Sequence, residues 1–445
     1  VIYLLTLRCR RRTLVAAIGQ DDVGPEAETE SGTVSLEPPD EGPGSDTVPE
    51  AGLSGRGTTQ TGVRLYHERL ALSLIRTHGS ISKAEIARLT GLSAQTVSVI
   101  VRGLERDNLV LKGASVKGRV GQPSQPYSLN PDGAFSIGLK VGRRSGDLVV
   151  IDLAGKTRDE VHMPYHFPTP EQFLGFAEAG LKGISRRLGP LFLRRVAGLG
   201  IAAPFDLWKW QEETGAPHDV MEAWKDFNLT SELMALCDWP VIACNDATAA
   251  CAAELLFGTG RQYRDFAYLY VGYFAGGGLV LNGQLHQGPT GNAAAFGSLP
   301  VPKAGGGSEQ LIHSASLYLL ERAIAQAGLE PALMWQRTAD WSAAEAQIGP
   351  WIARAAGGLA SAVASIASVV DCPAVFIDGA MPPGVRRRLV EATRRQAQRL
   401  NMDGITPFAI EEGSIGVDAR ALGAASLPLF ANFMADRDVL FKDAG

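Results

Sequence analysis

Apolar positions between Ile81 and Val110 fall into helical register twice. In ISKAEIARLTGLSAQTVSVIVRGLERDNLV, Ile86, Leu89 and Leu92 share one surface, and Val97, Val101 and Leu104 then recur at i, i+4 and i+7. Ser82, with Glu85 three residues on, reads as a capping box; Gly91 ends the first helix and Ser93 caps the second. Upstream, Leu65–Thr77 places Leu70, Ala71 and Leu74 on one face, a third helix able to cover the other two. Downstream, two strand-like runs, Leu109–Leu111 and Tyr127–Leu129, flank KGASVKGRVGQPSQP, a Gly/Pro-rich basic hairpin tip. This order of elements predicts a winged helix-turn-helix over residues 63–130.

Two capped helices around a glycine turn also occur in domains that never touch DNA. Side-chain chemistry and charge favour DNA here. The polar face of the second helix carries Gln95, Thr96, Ser98 and Arg102, which suit base edges or phosphates, and the wing supplies Lys117 and Arg119. Between Arg64 and Arg119 ten basic residues stand against four acidic ones, the sign that phosphate contact requires.

After the turn-forming Pro131-Asp132-Gly133, which reads as a hinge, strand and helix patterns alternate. Phe135–Val141 and Asp147–Leu153 form a hairpin; Val196–Ala202, Val241–Ala243, Phe266–Val271, Ala374–Ile377 and Phe408–Ile410 are further strand candidates. Helical patterns cover Pro170–Leu188, Asp246–Leu256, Ser308–Ala327, Ala344–Val370 and Pro383–Arg399. Such alternation predicts an α/β fold in two lobes around a cleft, where a ligand would sit.

Composition adds bounds. The chain has 445 residues and a formal charge of −5, so a basic module is embedded in an acidic protein with one local DNA-contacting surface. Residues 1–62 read as a disordered acidic leader, since Asp21–Glu50 contains no Lys or Arg. The opening VIYLLTLRCRRRTLVAAI places its arginines after the first apolar run, the reverse of a secretory signal. Five cysteines without C-x-x-C spacing suggest reduced thiols in a cytoplasm, and no run reaches the roughly 20 apolar residues of a membrane span.

Three stretches carry candidate chemistry. Cys244-Asn245-Asp246 ends a strand and opens an Ala-rich helix, which aims the Asp246 carboxylate into the cleft; a helix N-cap is its plain structural alternative. Val271–Gly283 is a Gly-rich strand-turn-strand, and Gly288–Leu299 a Gly/Ala loop containing Asn292. With GLGIAAPFDL (Gly198–Leu207) and the Trp224–Leu233 segment before Asn245-Asp246, their order resembles the ROK family (repressors, open reading frames and sugar kinases), and its N-acetylglucosamine- and xylose-type repressors in particular. The resemblance covers nearly all of residues 63–430. It implies an actin-like, ribonuclease-H-like two-lobed sugar-kinase-type domain over residues 131–445 that closes on a sugar, as a homodimer or homotetramer.

Departures from the family pattern carry as much information. Its kinases hold phosphate and metal with D-x-G-G-T; here Lys140 stands for the Asp and Arg144 for the Thr. In the second phosphate motif Tyr273-Phe274 bring bulk where backbone would approach phosphate. The sugar-gripping E-x-G-H becomes Ala295-Phe296-Gly297-Ser298, and the cysteine cluster that follows becomes Lys303–Gln310 without a cysteine. His286 and His313, lone and without ligand spacing, read as surface residues. The expectation is therefore a regulator of carbohydrate metabolism, a repressor in the cytoplasm, that binds double-stranded operator DNA and senses a sugar or sugar phosphate through Asn245, Asp246 and Asn292. No catalytic residue, metal, cofactor or membrane partner is expected. The alternatives are a ligand-free dimerisation scaffold on a DNA-binding module and an ATP-dependent sugar kinase.

Overall fold

The computed structural model describes residues 59–115, 125–205, 207–209, 215–303, 305–336 and 340–435. The acidic leader, and the wing tip with Lys117 and Arg119, lie outside the described residues.

The N-terminal module opens with α1 (Gln60–His78), capped by Thr59 Oγ1 accepting from Gly62 N at 3.0 Å. It continues through β1 (Ile81–Ser82), α2 (Lys83–Thr90), α3 (Ala94–Arg106), β2 (Val110–Lys112) and β3 (Pro126–Leu129), the strands pairing antiparallel in the order β1-β3-β2. Ser82 and Ser93 cap α2 and α3 as expected, and Gly91 closes α2 in the left-handed region at φ 72°. Only half of the expected capping box forms, because the Glu85 carboxylate takes Arg88 at 2.7 Å. The core gathers Ala71, Leu72, Ile75, Ile86, Val97 and Val101. α1 therefore buries a face one residue round from the expected one, with Leu70 and Leu74 half-buried, and Leu89 is 41% exposed.

In the first lobe, β4 (Phe135–Val141), β5 (Ser145–Asp152), β6 (Thr157–Pro164), β7 (Val196–Ala203) and β8 (Val241–Asn245) form a sheet in the order β6-β5-β4-β7-β8. Its first three strands are antiparallel; β4, β7 and β8 run parallel. α4 (Pro170–Leu193), bent at Gly189, covers it with Phe173, Ala177, Leu181 and Ile184. Short helices α5 (His218–Glu222) and α6 (Leu229–Leu236) lead into β8.

The second lobe repeats this plan. β9 (Phe266–Val271), β10 (Ala275–Leu281), β11 (Gln284–His286), β14 (Ala374–Gly379) and β15 (Ala409–Glu412) form the order β11-β10-β9-β14-β15, antiparallel on one side of β9 and parallel on the other. α7 (Asp246–Phe257) enters this lobe from β8. Between β11 and β14 lie the hairpin β12 (Pro300–Pro302) and β13 (Ser308–Gln310), then α8 (Ile312–Ala315), α9 (Leu317–Gln326) and α10 (Glu345–Val370). The single helix expected over Ser308–Ala327 is thus a strand and two helices. Length and apolar composition would let the 29 residues Ser342–Val370 cross a membrane, but 56% of their apolar window is buried in the lobe. α11 (Pro383–Ala397) covers β14 and β15.

The last helix, α12 (Ala419–Phe433), has no counterpart among the expected elements. It lies between the sheet of lobe one and α7. A Cβ on Gly423 would sit 1.8 Å from the Ala249 carbonyl, and one on Gly200 of β7 1.8 Å from that of Ala424. Backbones this close hold α12 rigidly against both neighbours.

Candidate functional sites: a recognition helix and an interlobe cleft

On α3, Gln95, Thr96 and Arg102 are exposed, while Ser98 is half-buried. The Thr96 hydroxyl is shared with Ser93 Oγ at 2.8 Å, and Arg102 Nε donates to the Ser98 carbonyl at 3.1 Å, which orients the guanidinium away from the core. Two outward residues were not among the expected contacts: Val99, 56% exposed, and Arg106, read only as part of the module's positive charge. Both line an open groove of about 870 Å³ between α1 and α3.

The cleft is built where β8 meets α7. Asn245 proves to be the N-cap of α7, its Oδ1 accepting from Ala247 N at 3.0 Å and Thr248 N at 3.4 Å. That occupies the oxygen proposed for a ligand. Asp246 is therefore free of capping, and its Oδ2 takes Arg420 Nη1 of α12 at 3.2 Å. The Arg420 guanidinium lies over the Tyr270 ring, 5.3 Å from its centroid. Asn292 is exposed on the Gly/Ala loop of lobe two, where a Cβ on neighbouring Gly291 would lie 3.9 Å from the Phe205 ring of lobe one.

Next to the Asp246–Arg420 pair, Lys140 Nζ donates to Asp147 Oδ2 at 2.6 Å and Ser145 Oγ at 2.7 Å, and Asp147 Oδ1 meets His162 Nδ1 at 2.5 Å. Burial lowers the Lys140 ammonium from its usual range. Burial would raise the Asp147 carboxyl, but the Lys140 charge and the His162 hydrogen bond outweigh it and hold it well below the ordinary carboxylate range. Lys140 thus neutralises an acid of its own strand pair.

The two turns that carry phosphate in family kinases meet each other here. Arg144 Nη2 reaches Glu321 Oε1 of α9 at 2.6 Å and the Tyr273 hydroxyl at 3.1 Å, and Nη1 donates to the His166 carbonyl. Glu321 is held in turn by Trp335 Nε1 at 2.8 Å. Arg143 stacks on Phe274 at 4.1 Å. Side chains of both lobes fill the gap between the turns, with Tyr273 3% exposed. His286 is exposed as expected, whereas His313 is half-buried and bonds the Tyr318 hydroxyl at 2.9 Å.

The cleft also connects to the N-terminal module. Phe433, at the far end of α12 from Arg420, packs against the apolar cores of both the module and lobe one. Ala435 N donates to Ser73 Oγ of α1 at 3.2 Å, and Arg76 Nη2 donates to the Leu153 carbonyl at 2.9 Å. The expected hinge is pinned as well, since Arg158 holds Asp132 at 2.6 Å and a Cβ on Gly133 would lie 2.6 Å from the Asn108 carbonyl. The module is therefore not joined to lobe one through Pro131-Asp132-Gly133 alone.

Comparison with known proteins agrees with this anatomy. Residues 66–119 match the MarR family and residues 136–429 the ROK family. The uncharacterized protein y4fQ of Sinorhizobium fredii is 25% identical over 374 residues, 82% of this chain and 91% of that protein. The xylose repressor of Bacillus spizizenii is 26% identical over 242 residues, 54% of this chain and 62% of the repressor's length. In fold, the chain is similar to a ROK family transcriptional regulator homologous to the E. coli MLC protein, with a TM-score of 0.61 and 18% identity over 85% of this chain and 99% of that one. With its actin-like two-lobed domain matched over most of its length and a winged helix ahead of it, the chain belongs to the ROK family.

Proposed function

We propose that this protein is a DNA-binding transcriptional repressor of carbohydrate metabolism whose kinase-like domain senses a sugar or sugar phosphate and transfers no phosphate. One relationship carries the reading: the ion pair that contains Asp246 sits at one end of α12, and the other end packs, through Phe433, against the core of the DNA-binding module. A sugar hydroxyl that hydrogen-bonds to Asp246 competes with Arg420 for the same carboxylate. The displaced guanidinium must find another partner, because an unpaired buried charge is costly. Any resulting shift of α12 reaches Phe433, about 20 Å away, as a displacement of a rigid body. In a dimer on two half-sites, even a small change in module separation costs operator affinity.

The xylose repressors among the relatives, and the residues filling the phosphate turns, support regulation over catalysis. Binding as a homodimer or homotetramer to operator DNA in the cytoplasm is part of the same proposal. The test is an operator titration at one salt concentration, with and without members of a sugar and sugar-phosphate panel. A ligand that stabilises the protein against heat and changes operator affinity supports the reading. Stabilisation by no member of the panel, with operator binding intact, favours the scaffold alternative.

A further inference from the structure

The outward face of α3 presents Gln95, Val99, Arg102 and Arg106 at i, i+4, i+7 and i+11, a single stripe opposite the buried Val97, Val101 and Leu104. Three of these side chains can hydrogen-bond to DNA. Val99 cannot, and it is 56% exposed. A β-branched residue at an exposed helical position is less favourable than alanine, and among the described residues none buries this one, which stays 56% exposed. It lines the open groove between α1 and α3, which Val63 and His67 of α1 also line.

In the major groove only thymine offers a methyl group, the natural contact for an apolar side chain on a recognition helix. Val99 lies one helical turn beyond Gln95, about 6 Å along the axis, or roughly two base-pair steps. We propose that Val99 reads the C5-methyl of a thymine in the operator, about two base pairs from the base contacted by Gln95. This assignment rests on the DNA-binding role of the module and adds to it an apolar specificity element between two polar ones.

Deoxyuridine differs from thymidine by that methyl alone, which isolates the contact. An operator would first be enriched from a pool of random 20-bp duplexes with the full chain, and each thymine then replaced singly by deoxyuridine. The expected result is a loss of about fourfold per half-site at one symmetric position, the equivalent of one methyl group removed from an apolar contact. Val99→Ala should lose most of the discrimination between thymine and deoxyuridine operators and melt no lower than wild type, since the side chain supports no core and alanine is the better helix former. Val99→Thr, which keeps one methyl, should show a smaller discrimination than wild type. A deoxyuridine penalty that persists unchanged in Val99→Ala, or no penalty at any thymine for wild type, overturns the assignment while leaving DNA binding intact. Failure to enrich any duplex overturns the DNA-binding reading together with it.

Discussion

Asp246 Oδ2 and Arg420 Nη1 lie 3.2 Å apart although 174 residues separate them in sequence, and both side chains are largely shielded from solvent, at 14% and 8% exposure. The pair joins the first residue of one central helix to the second residue of the other. A ligand reaching this carboxylate acts on both helices at once.

The variant that separates sensing from folding is Asp246→Asn. Alanine would strip Arg420 of its partner and leave a charge buried, a change that costs about 3–5 kcal/mol when burial is complete. Asparagine keeps a polar neighbour. Asp246→Asn is expected to bind the operator with wild-type affinity and to lose the response to ligand, checked by operator titration and by thermal shift. Wild type at 100 times its ligand dissociation constant gains about 2.7 kcal/mol of stability, and the variant gains none. A full response in Asp246→Asn would move the sensor elsewhere.

Sugar-dependent ATP turnover should be at background in the wild-type protein, because Arg144 and Tyr273 close the gap between the turns and Lys140 replaces the metal-supporting carboxylate. The same Arg144 ion pair links the lobes, so Arg144→Ala should lower stability by about 2 kcal/mol. Denaturant titration of Arg144→Ala, Glu321→Gln and the double variant gives the coupling directly. Turnover that Asp246→Asn abolishes would overturn the first expectation, and additive effects the second.

Acid should weaken the first lobe through Asp147. Its folded carboxyl titrates below its unfolded value, so its stabilisation is complete above about pH 4 and disappears as pH falls through the folded value. Wild type is therefore expected to lose more stability between pH 5 and 3 than Asp147→Asn does. At pH 7 the order reverses in cost: Asp147→Asn leaves Lys140 buried beside a neutral partner, and adding Lys140→Met should recover much of the loss. Chemical denaturation of wild type and the two variants at two pH values checks both.

Base and backbone contacts should differ in kind. Arg102→Ala is expected to weaken operator binding by about 1–3 kcal/mol and to relax specificity at one position, whereas Lys117→Ala or Arg119→Ala in the wing should weaken all sequences alike and reduce the salt slope by about one. Ser98→Ala should matter less than Gln95→Ala, since Ser98 is half-buried and Gln95 is exposed. Mobility shifts over a salt series distinguish these outcomes.

Much of this anatomy is legible in the sequence because local signals state it. Serine caps, the left-handed Gly91 and helical spacing define the winged module, and apolar runs give the inner strands of both sheets, while the polar edge strand β6 and the short β11 carry no such run. Helix α12 is invisible by the same logic. It is buried on nearly every side by Ala, Gly, Ser and Leu and contains Pro428, so no amphipathic period marks it. Arg420 escapes with it, and so does the contact that joins cleft to module. Val99 escapes for the opposite reason: the spacing of Val97, Val101 and Leu104 leaves it off the core face, but a search for hydrogen-bonding contacts passes over an apolar side chain.

The placement of Phe433 has a consequence for how this protein can be divided. The boundary near Pro131 separates two sequence patterns, but the module's apolar core is flanked by a side chain more than 300 positions later in the chain. Synthesised N-terminus first, the DNA-binding module completes its packing only when the last helix has emerged and docked. A fusion that transplants residues 63–130 to another regulator leaves that packing behind, whereas one that carries α12 with its docking surface preserves it.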